Sequence, residues 1–406
     1  MLVYEAKLQG TKDQYQQLDR ALRTGLFVRN KALRYWMDGP GKSKANLNKY
    51  CRVLAKEYPW AKKLNSMARQ AMAERAWLAV SRFYNNCQQK VQGKKGFPQF
   101  KRLQTRASVE YKTSGWKLSD CRRYLTFTDG FEAGTFKLWG TRDLHFDRLS
   151  QIKRVRVVRR ADGYYAQFCI DHQRKERRKP TGKTIGLDVG LTHFYTDSDG
   201  NTVKPPRYLR KSEQALKREQ RRLARKQKGS KNRVQARLRF GRKHLKVQRQ
   251  RKDWAVKLAR YAVMSADLVA YEDLQIKNLV KTHKLAKSIV DAAWYQFRQW
   301  VEYFGKVFGV ATVAVPPQNT SQTCSCCGNL VKKSLSARTH LCQCGTVLDP
   351  DRNAAINILE LGLRTVGHTG TYACGEETAT RLLETEVEPV TSLKQETPSV
   401  TMESPS

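Results

Sequence analysis

The apolar positions along this chain change their period several times, and each change predicts a different element. Residues 1–9 alternate, with Leu2, Tyr4, Ala6 and Leu8 on one face and Val3, Glu5 and Lys7 on the other, the pattern of an edge strand. From Leu18 the period lengthens. Leu18, Leu22, Leu26, Leu33 and Trp36 fall at helical spacing and stop at Gly39-Pro40-Gly41, and Ala73, Ala76, Trp77, Val80, Phe83 and Cys87 form a second stripe that ends before Gly93. A helical hairpin that buries both stripes leaves Arg69, Gln70, Arg75 and Arg82 on outward faces, where side chains of this type meet phosphates or base edges.

Between Ser108 and Asp171 the period shortens again into β-rich runs: Tyr124 to Thr128, Thr135 to Leu138, Arg154 to Arg159 and Tyr164 to Ile170. Asp129-Gly130, Gly134 and Asp162-Gly163 punctuate them, which predicts a small antiparallel barrel completed by the N-terminal strand. A basic linker around Pro180-Thr181-Gly182 precedes an apolar run, Ile185 to Val189, that contains Asp188. Leu268 to Tyr271 is a second buried-strand candidate and runs into Glu272. Ile289, Ala293, Phe297, Trp300, Phe304 and Phe308 then mark an amphipathic helix closed by Gly309, and Val310 to Val315 reads as a third buried strand. Beyond about Thr365 the periodicity is lost and seven Glu stand against Arg381 and Lys394, the composition of a disordered acidic tail.

Charge changes this picture from a fold to a partner. The chain carries 77 Lys and Arg against 36 Asp and Glu over 406 residues, a formal +41, far beyond what solubility needs. Residues 207–252 alone hold 20 Lys and Arg against Glu213 and Glu219, with Leu209, Leu216 and Leu223 a heptad apart, a break near Gly229, then Val234, Leu238 and Leu245. That pattern predicts a two-helix basic insertion presenting Arg218, Arg221, Arg222 and Arg225 to a polyanion. No apolar run of about 18 residues appears, and the first residues are not a basic leader before an apolar core, so nucleic acid is expected and a membrane is not.

Two kinds of metal ligand then stand out. Asp188, Glu272 and Asp351 each fall at the end of a predicted strand or the head of a helix, and carboxylates from separate elements are the ligands that hold paired magnesium ions about 4 Å apart for phosphodiester hydrolysis. Five of ten cysteines crowd into 324–344, which favours metal binding in a reducing cytosol. Cys324 and Cys327 form a C-x2-C pair followed by Gly328, whereas Cys342-Gln343-Cys344 is one residue shorter than an ordinary knuckle. Cys324, Cys327, Cys342 and Cys344 are the expected ligands of a structural zinc, with Cys326 and His340 as alternative donors.

At these residues the chain resembles a known family. Ile185-Gly186-Leu187-Asp188-Val189-Gly190, Tyr271-Glu272-Asp273-Leu274, Thr320-Ser321-Gln322-Thr323-Cys324 and Asp351-Arg352-Asn353-Ala354-Ala355-Ile356-Asn357 are similar, in order and spacing, to TnpB, the transposon-encoded RNA-guided nuclease related to type V CRISPR effectors. Gly96-Phe97-Pro98-Gln99-Phe100-Lys101 extends the likeness more loosely toward the amino terminus. The resemblance implies a multidomain α+β and α/β protein: a wedge-like β-barrel over 1–10 and 105–180, a helical recognition lobe over 11–104, and an RNase H-like, RuvC-type domain over 181–315 and 346–365. That domain would carry the basic helical insertion 207–262 and a zinc-ribbon-like insertion 316–345, before a disordered tail 366–406. It further implies Mg²⁺ on Asp188, Glu272 and Asp351, a DNA-motif-reading role for Gln70, a guide RNA and double-stranded target DNA as partners, and a monomeric ribonucleoprotein in a prokaryotic cytoplasm, at the nucleoid. One departure is Pro350, which stands where the family usually has a basic residue.

Two other functions compete: a guided DNA-binding protein that occludes without cutting, and a transposase that joins strands itself. All three carboxylates are present, which favours cleavage. If the basic insertion neutralises roughly ten phosphates, we expect log affinity for nucleic acid to fall with log salt at a slope of about −9. A nearly flat salt dependence in a filter-binding titration contradicts that expectation.

Overall fold

The computed structural model describes residues 2–102, 107–140, 144, 145, 147–281, 283–332 and 339–367. From residue 368 the expected acidic tail lies outside the described residues. The chain groups into two units, Met1–Lys175 with Arg207–Lys252, and Glu176–Pro206 with the chain from Asp253.

In the first unit, strand β1 (Leu2–Gln9) leads into helices α1 (Lys12–Met37), α2 (Lys44–Glu57), α3 (Pro59–Lys62) and α4 (Ser66–Gln88). Thr11 and Gln14 form a capping box at the head of α1, and Ser43 and Asn46 do the same for α2, so each helix start is fixed by side chains on its orphan amides. The two expected apolar stripes lie on α1 and α4, whose buried faces share a core with Leu47, Cys51 and Leu54 of α2, a helix that no long stripe announced.

Strands β2 (Ala107–Tyr111), β3 (Trp116–Leu118), β4 (Tyr124–Phe127), β5 (Gly134–Trp139), β6 (Ile152–Arg160) and β7 (Gly163–Ile170) form one antiparallel sheet with β1, ordered β2-β6-β7-β1-β5-β4-β3. The amino-terminal strand is therefore interior, not an edge: Leu2 pairs Ile170 on one side and Lys7 pairs Trp139 on the other. Alternation reports which face of a sheet is wet, and it carries no information about which strand lies outermost. The expected barrel is not closed among the described residues, because β2 and β3 end the sheet without pairing. Between them the chain is tied to α4 instead. Gly115 adopts φ +89° against Asn65, the N-cap of α4, Ser114 Oγ lies 3.3 Å from Asn65 Oδ1, and Trp116 Nε1 donates to the Lys112 carbonyl. The basic segment folds as α5 (Tyr208–Ala224) and α6 (Lys231–Met264), separated at Gly229, whose φ of +88° suits glycine. Helix α6 to Lys252 belongs to this unit, and its remainder belongs to the second.

The second unit is built on a five-stranded sheet. Its strands β8 (Thr184–Asp188), β9 (Tyr195–Asp197), β10 (Thr202–Val203), β11 (Leu268–Glu272) and β12 (Ala311–Val315) are ordered β10-β9-β8-β11-β12. The first three form an antiparallel meander, and β8, β11 and β12 run parallel. Helices α7 (Ile276–Leu279), α8 (His283–Ala292) and α9 (Trp294–Phe308) follow β11; strands β13 (His340–Leu341) and β14 (Val347–Leu348) pair antiparallel; α10 (Pro350–Thr365) ends the described fold. Val269 and Tyr271 of β11 join a core with α9 and the end of α6, while Leu268 and Ala270 join one with Ile358 and Leu359 of α10. Helices thus cover both faces of the parallel strands, which is why those strands read as continuous apolar runs.

Helix α10 approaches this sheet unusually closely. A Cβ at Gly186 would lie 2.0 Å from the Ala355 carbonyl oxygen and 2.7 Å from the Leu359 nitrogen, and one at Gly362 would lie 2.6 Å from Ala270 Cβ. Gly186 is required for space, since its neighbours are backbone and cannot rotate away. We expect Gly186→Ala to cost about 2–3 kcal/mol, the upper part of the range for overpacking, read as a lower midpoint of urea unfolding. An unchanged midpoint contradicts this packing.

Candidate functional site

The carboxylates lie where the parallel strands end. The β8–β11 register pairs Tyr271 with Leu187, so the following residues, Glu272 and Asp188, stand side by side at the C-terminal ends of neighbouring strands. Asp351 comes from above, in the first turn of α10, where the orphan amides and helix dipole favour a negative side chain. The N-cap of that helix is Asp349, whose carboxylate accepts from the amides of Asp351 and Arg352, and Pro350 occupies the position where a missing N–H costs nothing. Pro350 thus helps start the helix that carries the acid.

Electrostatics ties the acids together. Burial, and then the negative charges of Glu272, Asp351 and Asp349, hold the Asp188 carboxyl well above the ordinary carboxylate range. Burial also raises Glu272, although the Thr320 hydroxyl, donating to Glu272 Oε1 at 2.6 Å, works against it. His193, in the turn between β8 and β9, brings Nδ1 to 3.7 Å from Asp351 Oδ2, a distance too long for a hydrogen bond. Neither Thr320 nor His193 was singled out by charge or spacing. Thr320 sits inside one of the quoted motifs, and His193 has no signal beyond its place after Gly190.

Helix α10 also holds the loop that follows β12. Asn353 and Asn357, four residues apart and so on one helical face, are both buried. Asn353 Nδ2 donates to the Thr323 carbonyl and its Oδ1 accepts from the Ser325 amide; Asn357 Nδ2 donates to the Thr320 and Thr323 carbonyls. One helix therefore presents Asp351 and fixes both Thr320, which contacts Glu272, and the approach to the first cysteine pair.

Cys324, Cys327, Cys342 and Cys344 bring their sulfurs within 4.8 Å of one another, and among the described residues no other group of three or more potential ligands does so. The three carboxylates are spread more widely than that. Sulfur pairs at 3.5 Å (Cys327 to Cys342) and 3.7 Å (Cys324 to Cys344) match the edge of about 3.8 Å in a tetrahedron with zinc–sulfur bonds of about 2.3 Å. The donor set therefore fits zinc, and the short second pair closes because the Cys342 amide bonds the Thr346 carbonyl and Gly345 takes φ +87°. Burial opposes ionisation of Cys324, but the amides of Cys327 and Cys326 and a bond to His340 outweigh it and bring the thiol to about 7. The hydroxyl and then the amide of Thr346 bring Cys344 to about 6. Cys326 stands outside the quartet, and His340 is buried behind it as a partner of Cys324.

The expected nucleic-acid contacts are dispersed. Arg218, Arg221, Arg222 and Arg225 are exposed along α5 and its C-cap, with Arg222 paired to Glu219 at 3.0 Å. On α4, Arg69 directs Nη1 to the carbonyls of Ala61, Lys62 and Leu64, capping the end of α3, and Gln70 beside it is half-buried. Among the described residues no helix is long and apolar enough to cross a membrane.

Comparison with known proteins matches residues 167–283 to a family described as "Probable transposase" and residues 294–358 to the "Cas12f1-like, TNB domain" family. A "Putative RNA-guided DNA endonuclease" of Streptomyces pristinaespiralis is 37% identical over 198 residues, 48% of each chain. "Putative RNA-guided DNA endonuclease InsQ" of Escherichia coli K12 is 29% identical over 242 residues, 55% of this chain and 59% of that protein. The chain thus spans about half the length of the curated relatives it matches. A solved Cas12f1 chain, from a complex with sgRNA and target DNA, superposes with a TM-score of 0.52 at 15% identity over 84% of this chain and 82% of that one, a likeness of fold. With the motifs of the strand ends and of α10, these matches make residues 167–283 and 294–358 similar to proteins of the TnpB family.

Proposed function

We propose that this protein is an RNA-guided DNA endonuclease of a transposon, cutting double-stranded DNA beside a short adjacent motif at a RuvC-like site formed by Asp188, Glu272 and Asp351. The observation that carries the reading is that β8, β11 and α10 deliver three carboxylates to one end of a parallel sheet, where the charges of Glu272 and Asp351 add to burial in raising Asp188. Like charges gathered in a half-buried place are costly without a cation, and oxygen-only ligands suit magnesium. Relatives named as RNA-guided DNA endonucleases support the same activity.

Asp188, Glu272 and Asp351 would hold Mg²⁺ as two ions. Bound there, the metal supplies charge stabilisation for phosphodiester hydrolysis and an activated water. The remaining work belongs to the chain. Thr320 orients Glu272 by its short hydrogen bond, His193 faces the second oxygen of Asp351, and Asn353 and Asn357 hold the Thr320 loop in register with α10. The exposed α5 arginines would grip the backbone of a guide–target duplex, leaving sequence to base pairing. Gln70 would read the adjacent motif. The match to a family described as a probable transposase favours one second reading, strand joining by the protein itself, which an assay on purified transposon ends detects as joined product.

Substituting Asp188→Asn tests the site by two independent readouts. We expect cleavage of guide-matched plasmid to be lost while RNA and DNA binding persist, since the basic surfaces are untouched. For the metal-free protein the sign reverses. Asp188 is raised in the folded state, so the native protein binds more protons than the unfolded one, and stability falls as pH rises from the ordinary carboxylate range through the raised value. The substitution removes that penalty, and we expect the metal-free melting temperature at neutral pH to rise by roughly 2–4 °C. Retained cutting contradicts the site; an unchanged or lowered melting temperature contradicts the repulsion.

The cysteine quartet should be structural. We expect one zinc per chain by atomic emission, lost in Cys342→Ser, with a fall of several degrees in melting temperature, because ligand binding stabilises the state that holds the site. Zinc-free wild-type protein that melts at the same temperature as the loaded form contradicts this role.

A further inference from the structure

The first unit contains a cavity of about 500 Å³ between α1, α4, the start of β2, the β6–β7 turn and α6. Its basic lining comprises Arg29, Arg75, Lys101, Arg102, Arg160 and Arg237, and among the described residues no Asp or Glu lines it. The opposite character is also present: Leu22, Leu26, Met72 and Val158 line it, and Phe240 of α6 stands on the wall.

The arrangement is built rather than incidental. Arg29 is only 4% exposed, and its guanidinium donates to the Gln99 carbonyl and to Asn30 Oδ1. Asn30 in turn binds both the amide and the carbonyl of Lys101, which fixes that lysine at the cavity. Arg75 donates to the carbonyl and hydroxyl of Ser108. All these acceptors are neutral, so they satisfy hydrogen bonds without cancelling charge. Burial lowers the pKa of Arg29, with Arg75 adding to it, and burial followed by Arg29 and Arg75 lowers that of Lys101. Elsewhere in the unit the buried Glu110 is matched, lying between Arg154 and Arg156 at 2.7 and 2.8 Å, and of the cavity's own cations Arg160 is paired, with Glu5. The α6 wall is anchored too, with a Cβ at Gly241 only 2.8 Å from Ala161 Cβ, Arg242 Nε on the Ala161 carbonyl and Arg249 on Asp162.

Arg29 is a buried cation with neutral partners, flanked by the half-buried Arg75 and the exposed Lys101, and such an excess of positive charge is costly until an anion joins it. Inorganic phosphate would answer the charge and leave the apolar wall wet, whereas a nucleotide offers phosphate to one side and a flat base to the other. The volume suits a ligand of that size and excludes a duplex. We propose that this cleft seats one nucleotide of a bound single-stranded nucleic acid, its phosphate against Arg29, Arg75 and Lys101 and its base against Phe240. The proposal takes from the functional reading only that the chain binds nucleic acid.

The test is fluorescence anisotropy of a labelled 12-nucleotide single-stranded RNA without guide sequence, titrated with full-length protein freed of nucleic acid, over a salt series. Arg75→Gln should weaken binding about tenfold and make the salt slope shallower by about 1. The double variant Arg102→Ala/Arg237→Ala, exposed at the rim and harmless to the core, should act in the same direction. Phe240→Ala should weaken binding about tenfold with the slope unchanged. Lys117→Ala/Lys137→Ala, the same loss of charge on other exposed strand positions, should change affinity less than twofold. Equal effects of the two double variants overturn the proposal. So does orthophosphate that, at matched ionic strength, raises the melting temperature of wild type but not of Arg75→Gln while RNA binding is indifferent to the rim variants: the source is then a free phosphate. Nothing is cut and no guide is present, so failure here leaves the nuclease reading standing, and failure of guided cutting leaves this result intact.

Discussion

The second unit depends on the closeness of one helix to one strand. With no side chain at Gly186 the backbone of α10 can rest on β8, and Gly362 permits the same against Ala270 further along. That contact sets the height and rotation of α10. Its head then carries Asp351 over the ends of β8 and β11, and its buried face carries Asn353 and Asn357 to the loop that holds Thr320 and Cys324. Asp351, the threonine that orients Glu272 and the base of the cysteine quartet all take their positions from that packing.

Charge in this protein is balanced in three different ways, and the differences carry functional information. Glu110 is buried but bracketed by two arginines, and its carboxyl is lowered although burial alone would raise it. At Asp188 the neighbours have the same sign, so burial and repulsion add. In the first-unit cleft the excess is positive and the acceptors neutral. A closed pair contributes to the fold, whereas an excess of one sign favours a ligand of the other, which is the physical basis of the metal and the nucleotide phosphate proposed above.

Much of this was legible in the sequence, for physical reasons that vary by element. The parallel strands read clearly because burial on both faces leaves continuous apolar runs, and Asp188 and Glu272 stood out as the polar residues that end two of those runs. The break at Gly229 read clearly because a positive φ selects glycine. What was hidden depends on tertiary contact. The interior position of β1 was invisible because alternation marks faces and not neighbours. The open sheet was invisible because the turn after β2 is diverted by an N-cap residue, Asn65, more than forty positions earlier in the chain. Asn353 and Asn357 look like polar residues of an ordinary helix until the Thr320–Ser325 loop is seen beneath them. The shortened cysteine knuckle looked incomplete, yet a backbone turn at Gly345 brings both sulfurs into the quartet.

The most direct measurement is to sequence the RNA that co-purifies with the full-length protein, program it against a plasmid, and present the complex with a library randomised beside the matched target. A single RNA class and magnesium-dependent cutting of a subset sharing one short flanking motif is the expected result. Cutting that ignores the RNA sequence, or a bound RNA with no cutting in magnesium at any flank, contradicts it.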